Sequence, residues 1–242
     1  METKHVEIQK LDDAIEKMWQ QIFSSEMAQQ FISSFMGKDK RIYALYLTQV
    51  YHYAYHTPRN LALAGANLHN TNTHFMHHCF EHAREETGHE LMALHDLRML
   101  GLPINTVPDD MPKILASNEA MLGYVKFLAT GSNPYRIMGY SYWIERPYAH
   151  ILHFMEQMEV SMGLNKNQMT FYYNHREIDK KHGAEIEKAI ISFCTNQNQW
   201  DGIREAALTT MQLMLNLLLE IIKEYNQLDS KESAFSMINL VK

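Results

Sequence analysis

His175-Arg176-Glu177-Ile178-Asp179-Lys180-Lys181-His182 is the stretch on which the reading of this chain turns. On a helix, residues four and seven apart share a face, so His175, Asp179 and His182 fall in one stripe. Two imidazoles and a carboxylate in that register can form a facial ligand set with positions left open for dioxygen. The alternative is a solvated, charge-laced face, because Lys180 and Lys181 stand between these residues. The lysines lie elsewhere on the helical wheel and do not separate the two readings.

Outward from this stretch, the chain reads as a series of helices. Apolar residues recur at helical spacing from Lys10 to Phe35, with a break expected at Ser24-Ser25. Asp39 is expected to cap a second helix through Tyr43, Leu47 and Tyr51, which Pro58 kinks or restarts. A third, long helix runs from about Thr71 to Leu100, ended by Gly101 and Pro103. Periodicity resumes from Ile114 to Phe127. Asn133 and Pro134 then read as an N-cap and first helical position. The helix carrying Tyr140 to Met162 stops near Gly163. Lys166 to about Cys194 forms one helix or two, and Trp200 to Tyr225 the last long one. No stretch alternates as a strand would. The predicted fold is all-α: a single domain over 1–242, a bundle of about seven helices, with a weakly patterned tail after about 228.

Composition supports this. Apolar residues are 46% and charged residues 21% of 242, a globular balance. Ten Gly and six Pro are too few for a turn-rich β protein. A net charge of -6 argues against a nucleic-acid partner. Two cysteines make no disulfide framework, so a cytoplasmic location is expected. Neither a signal peptide nor a membrane span is read from the sequence. Seven of the 14 His fall between His69 and His95, which points to chemistry there.

Two further constellations bear on that chemistry. In Glu81-His82-Ala83-Arg84-Glu85-Glu86-Thr87-Gly88-His89, the residues His82, Glu86 and His89 share one helical stripe, bordered by Glu85. Glu86 and His89 form Glu-x-x-His, the spacing with which helix bundles offer a carboxylate and an imidazole to one metal; a solvated helix face is the plainer reading. Glu145 sits among aromatic and apolar neighbours, where a carboxylate must be metal-bound or paired, with Arg146 or Arg84 as the available partners. The many Met residues, Met76, Met138, Met155, Met158 and Met211 among them, read as core.

The chain resembles the heme-oxygenase-like superfamily that includes TenA and PqqC, and within it the di-metal oxidases and oxygenases. Tyr51-His52-Tyr53-Ala54-Tyr55 with Arg59 looks like the aromatic second-helix segment. Glu85-Glu86-Thr87-Gly88-His89 followed by Leu100-Gly101-Leu102 looks like the Glu-Glu-x-Gly…His…Leu-Gly signature. Tyr142-Trp143-Ile144-Glu145-Arg146-Pro147 looks like the Tyr-x-x-Glu…Pro segment, and His175-x3-Asp179-x2-His182 matches the oxidase motif.

The resemblance implies metal ligands Glu86, His89, Glu145, His175, Asp179 and His182. His82 stands where many relatives have a Glu, and Glu85 is a substitute for Glu86. It also implies a substrate pocket near His52, Tyr55, His56 and Tyr142. The cofactor expected is iron, two ions with the second held more loosely, or manganese, with dioxygen as co-substrate. The implied function is a non-heme iron oxidase or oxygenase acting on a small organic substrate. A metal-independent PqqC-like oxidase and a silent ligand-binding or interaction domain are the alternatives. Arg59, Arg84 and Arg146 are available to bind a substrate carboxylate or to form structural ion pairs. The region Tyr140 to Tyr148 lacks the cysteine of TenA-type thiaminases. A heme oxygenase would need an axial His on the first helix, and His5 is read as lying before it. A homodimer is expected, with no membrane partner.

Overall fold

The computed structural model describes residues 2–230 and 233–241. Among the described residues there is no strand, and there are ten α-helices rather than about seven. They are α1 (Glu2–Ser24), α2 (Glu26–Phe35), α3 (Arg41–Gly65), α4 (Thr73–Glu86), α5 (Glu90–Met99), α6 (Ala116–Thr130), α7 (Ile137–Ile144), α8 (Tyr148–Met162), α9 (Thr170–Phe193) and α10 (Gln197–Tyr225). The count rises because three expected helices are each divided in two. The break at Ser25 falls where expected: its side chain accepts from the Ala28 N–H at 3.1 Å and starts α2. The breaks after Glu86 and Ile144 were not expected, and both lie at the site described below.

Other local readings need adjustment. Asp39 supplies the start of α3, accepting the Arg41 N–H at 3.0 Å. Pro58 neither ends nor restarts α3, which runs unbroken around it. The Asn133 side chain makes no capping bond, and Pro134 opens a short 3-10 turn before α7. α1 begins at Glu2, so His5 lies within the first helix, where it is exposed. Met76 is exposed as well, whereas Met138, Met155, Met158 and Met211 are buried. After Leu228 the chain forms a short 3-10 turn, Ser236–Leu240, and buries Phe235 and Ile238.

The core has two parts, and α3 and α10 run through both. Ile42 to Ala54 of α3 pack in one part with Leu217, Ile221 and Ile222 of α10. Leu61 and Ala64 pack in the other with Trp200, Ile203, Ala207 and Met211. Among the described residues, α10 is the one helix long and apolar enough to cross a membrane, and here it packs against α1, α2, α3, α6 and α7.

The α7–α10 crossing fixes where Glu145 emerges. A Cβ on Gly139 would stand 2.0 Å from the Ile203 carbonyl oxygen and 2.7 Å from the Ala207 nitrogen. Both neighbours are backbone, so a helix must shift. Gly139→Ala is expected to destabilise the fold by about 3 kcal/mol, the upper range for overpacking a core. Urea denaturation checks this; a loss no larger than for an exposed Gly→Ala change refutes the close approach.

The start of α9 is set from outside its own sequence. Buried Asp96 of α5 accepts the Thr170 N–H and Phe171 N–H, both at 2.9 Å, and the Thr170 hydroxyl at 2.5 Å. A carboxylate on these orphan N–H groups acts as an N-cap and complements the helix dipole. It also fixes α9 to the helix that follows His89.

Candidate metal centre

Two helix breaks build the site. At Thr87-Gly88-His89, Gly88 adopts φ +98°, a conformation that L side chains rarely reach. Open space surrounds its Cα, so conformation rather than room demands glycine there. The turn ends α4 at Glu86 and returns the next ring toward it: His89 Nδ1 lies 3.1 Å from Glu86 Oε2. At the second break, Pro147 has no N–H to continue α7 and disfavours helix at Arg146. Glu145 therefore caps α7, with its buried carboxylate directed at α4 and α9.

From α9 come His175, Asp179 and His182, all buried, while Lys180 and Lys181 are exposed. Lys180 pairs with Glu177 and Lys181 with Glu85 and Glu185. The stripe is thus an interior face, not a solvated one.

The side chains converge in two donor groups. His82, Glu86, Glu145 and His182 form one, and Glu86, His89 and His175 the other, with the donor atoms within each group no more than 4.8 Å apart. Glu86 belongs to both: its Oε1 lies 3.2 Å from His182 Nδ1 and its Oε2 faces His89. His182 Nδ1 is also 3.3 Å from Glu145 Oε2, and His82 Nε2 is 3.5 Å from Glu145 Oε1. The His89 and His175 rings meet edge to face at 4.6 Å.

These placements revise the expected ligand set. Glu86, His89, Glu145, His175 and His182 are brought together as expected. His82 joins them. Asp179 is buried beside Glu145 but stands outside both donor groups. Glu85 lies at the rim, 3.2 Å from His182 Nε2 and paired with Lys181, so it does not replace Glu86.

The residues fit a divalent transition metal. Both ring nitrogens of His82 and Nδ1 of His175 are buried without a hydrogen-bond partner. An unpartnered buried polar group costs about 1–3 kcal/mol, which metal ligation would offset. Imidazole and carboxylate donors suit iron or manganese.

Protonation follows the same geometry. Burial alone would depress His182, but the hydrogen bonds it donates to the Glu145 and Glu86 carboxylates, and their charges, outweigh it and push the imidazole up to about 10. Burial raises Asp179 strongly, and the Glu145 charge adds to this. Burial would also raise Glu145 and Glu86, but the imidazoles beside them prevail and hold both below the usual range. At pH 7 the metal-free centre therefore keeps a proton on His182 and another on Asp179. Since a metal needs deprotonated donors, its binding is expected to release protons, about one per chain and that from His182, and to tighten as pH rises. Isothermal titration in buffers of different ionisation enthalpy counts them; zero release contradicts these protonation states.

A cavity of about 180 Å³ ends at the centre, lined there by Glu86, Glu145, His175 and Asp179. Its other walls are aromatic and aliphatic, with Phe31, Tyr53, Tyr140, Trp143, Tyr148 and Phe154 prominent. None of the four expected pocket residues lines it. His52 bonds through Nε2 to the Pro112 carbonyl oxygen at 2.9 Å. Tyr55 is exposed beneath the Arg59 guanidinium, and His56 lies next to it. Tyr142 is buried on the other side of α7, donating to Asp12 Oδ1 at 2.7 Å. The reason is helical phase: Tyr46, Tyr53 and Thr57 form the inward stripe of α3, and the neighbouring positions point away.

Among the described residues, no arginine or lysine lines the cavity. Arg59 stacks on Tyr55, Arg84 pairs with Glu81 and Glu85, and Arg146 with Glu187 and Asp12. Cys79 and Cys194 are buried and also absent from the cavity wall.

The sequence matches a family model described as iron-containing redox enzyme over residues 44–215. That span holds every candidate ligand. No curated protein is matched. Among solved structures, the chain is similar to a domain of unknown function with a heme oxygenase-like fold from Shewanella denitrificans. The identity is 30% and the TM-score 0.85, covering 94% of this chain and 97% of that one. A TenA homologue from P. horikoshii has 18% identity and a TM-score of 0.69, covering 90% and 98% of the two chains. One from Pseudomonas syringae pv. tomato has 14% identity and a TM-score of 0.62, covering 89% and 92%. At those identities the TenA likeness carries the fold alone. A helical frame broken at two ligands, a buried set of His and Glu donors and a match over most of the length lead to one assignment: the chain belongs to the iron-containing redox enzyme family and has the heme oxygenase-like fold.

Proposed function

We propose that this protein is a non-heme di-iron oxidase or oxygenase that uses dioxygen to act on a small, largely apolar substrate. The observation that carries this reading is Glu86, whose two oxygens each face a different donor group. A carboxylate so placed suits two metal ions held side by side. Bound iron would supply the one-electron chemistry that reaction with dioxygen requires.

The chain's own residues do the rest. His82, Glu86, Glu145 and His182 would hold one ion, and Glu86, His89 and His175 the other. The aromatic walls of the cavity receive the substrate's apolar body and keep water from the reacting end. With no arginine or lysine among the described residues of those walls, they offer no such ion-pair partner to a substrate carboxylate. Asp179 holds a proton where the cavity meets Glu145, so it is placed to give or take one as the substrate reacts.

Anaerobic titration with ferrous iron, followed by mixing with oxygen, tests the reading. Uptake approaching two irons per chain and a transient visible absorption are expected. A chain that takes up no iron sinks it.

A further inference from the structure

The candidate centre stands between two cavities of opposite character. Glu86 and Glu145 face the apolar one, whereas His82 and His182 form the floor of a second, of about 400 Å³. One wall of the second cavity is α4, which contributes His74, His77 and His78. Spacings of four and eight place His74, His78 and His82 in a single stripe leading inward. His74 and His77 are exposed, His78 is partly buried, and its ring lies 5.6 Å from that of His82. Glu81 and Glu85 from α4 and Glu185 from α9 line the same space.

We infer that this histidine-lined vestibule is a separate binding site for a divalent transition-metal cation, from which the inner centre is loaded. The inference rests on the metal-centre reading. Each observation bears on the route. A hydrated dication entering through the aromatic cavity would lose its water to walls that offer only neutral Tyr and Thr hydroxyls, poor replacements, before it reached the centre. The vestibule offers imidazoles from solvent to floor. His82 and His182 belong to both spaces, so an ion passes between them without meeting an apolar wall. Glu85 stands at the crossing, 3.2 Å from His182 Nε2. Its ion pairs with Lys181 and Arg84, and that of Glu81 with Arg84, are exposed and therefore weak, so a dication can displace them.

Cobalt(II) alone, added to the metal-free full chain and followed by visible absorption and isothermal titration, tests this. H74A/H77A changes two exposed positions and leaves the core untouched. It is expected to slow filling of the inner centre by about tenfold, the size of effect that removing supporting groups has on a metal site, while the final inner occupancy stays the same. H78A shifts the rate in the same direction. A chain carrying E86Q/H175A, which loses Glu86 from both inner groups and His175 from one, is expected to keep one weakly bound cobalt ion, which adding H74A/H77A removes. An unchanged loading rate in H74A/H77A, or no residual ion in E86Q/H175A, overturns the vestibule while leaving the inner centre standing. Absence of any cobalt binding by the unaltered chain overturns both.

Discussion

Glu86→Gln is expected to remove both metal ions together, where His89→Ala weakens one. Gln keeps the length of the side chain, but its amide nitrogen cannot accept or ligate, and its charge is gone. Oε1 and Oε2 of Glu86 face different donor groups, so a single change disables both. Loss of a supporting partner costs a metal site about 10–100-fold in affinity, and loss of the shared ligand is expected to exceed about 100-fold at each position. The metal-free protein weakens as well. His182 is held as an imidazolium by Glu86 and Glu145, and removing one of these partners costs about 1.5–3 kcal/mol, the range for a hydrogen bond to a charged group. Metal analysis after anaerobic reconstitution, with denaturation of the apo form, measures both. A variant that keeps one ion at full affinity shows that Glu86 is not shared.

Asp179→Ala is expected to act in the opposite direction on stability. Its carboxyl group is buried, is held protonated beside Glu145 and leaves Oδ1 without a partner. Removing an unsatisfied buried group of this kind is expected to stabilise the metal-free protein by about 1 kcal/mol, since apolar replacements at such sites are often neutral or favourable. For a chain of this length that raises Tm by about 2–4 °C. Metal affinity should fall, by about 10–100-fold, because Asp179 supports the centre from beside Glu145 rather than from within a donor group. Scanning calorimetry of the apo form with and without manganese separates the two effects. A lower apo Tm with unchanged metal response contradicts the assigned environment. The contrast between Glu86 and Asp179, neighbours with carboxyl groups shifted in opposite directions, is the sharpest check on the electrostatics.

Helical content, the His175/Asp179/His182 stripe, the Ser25 break and the stop at Gly163 were legible in the sequence, because each follows from local periodicity or a single residue's conformational preference. The inward direction of that stripe was not, since a helical wheel gives relative phase and only packing supplies the absolute one. The same limit misplaced the pocket: Tyr53 and Thr57 face the cavity, whereas His52, Tyr55 and His56, one or two residues away, do not. The division of two long helices at Gly88 and Pro147 was written in residues known to break helices, yet a glycine alone does not announce a positive φ. Asp96 could not be read as the cap of α9, because cap and helix are 74 residues apart and meet only through tertiary contact. Nor could the sequence place His82 within a donor group and Asp179 outside it. That choice rests on distances of a few ångströms between side chains from α4, α7 and α9, set by how the three helices pack. The sequence by itself determined which chemical groups the chain can offer and which lie on a common helical face; the tertiary structure decided which of them meet, because convergence depends on the approach of separate elements.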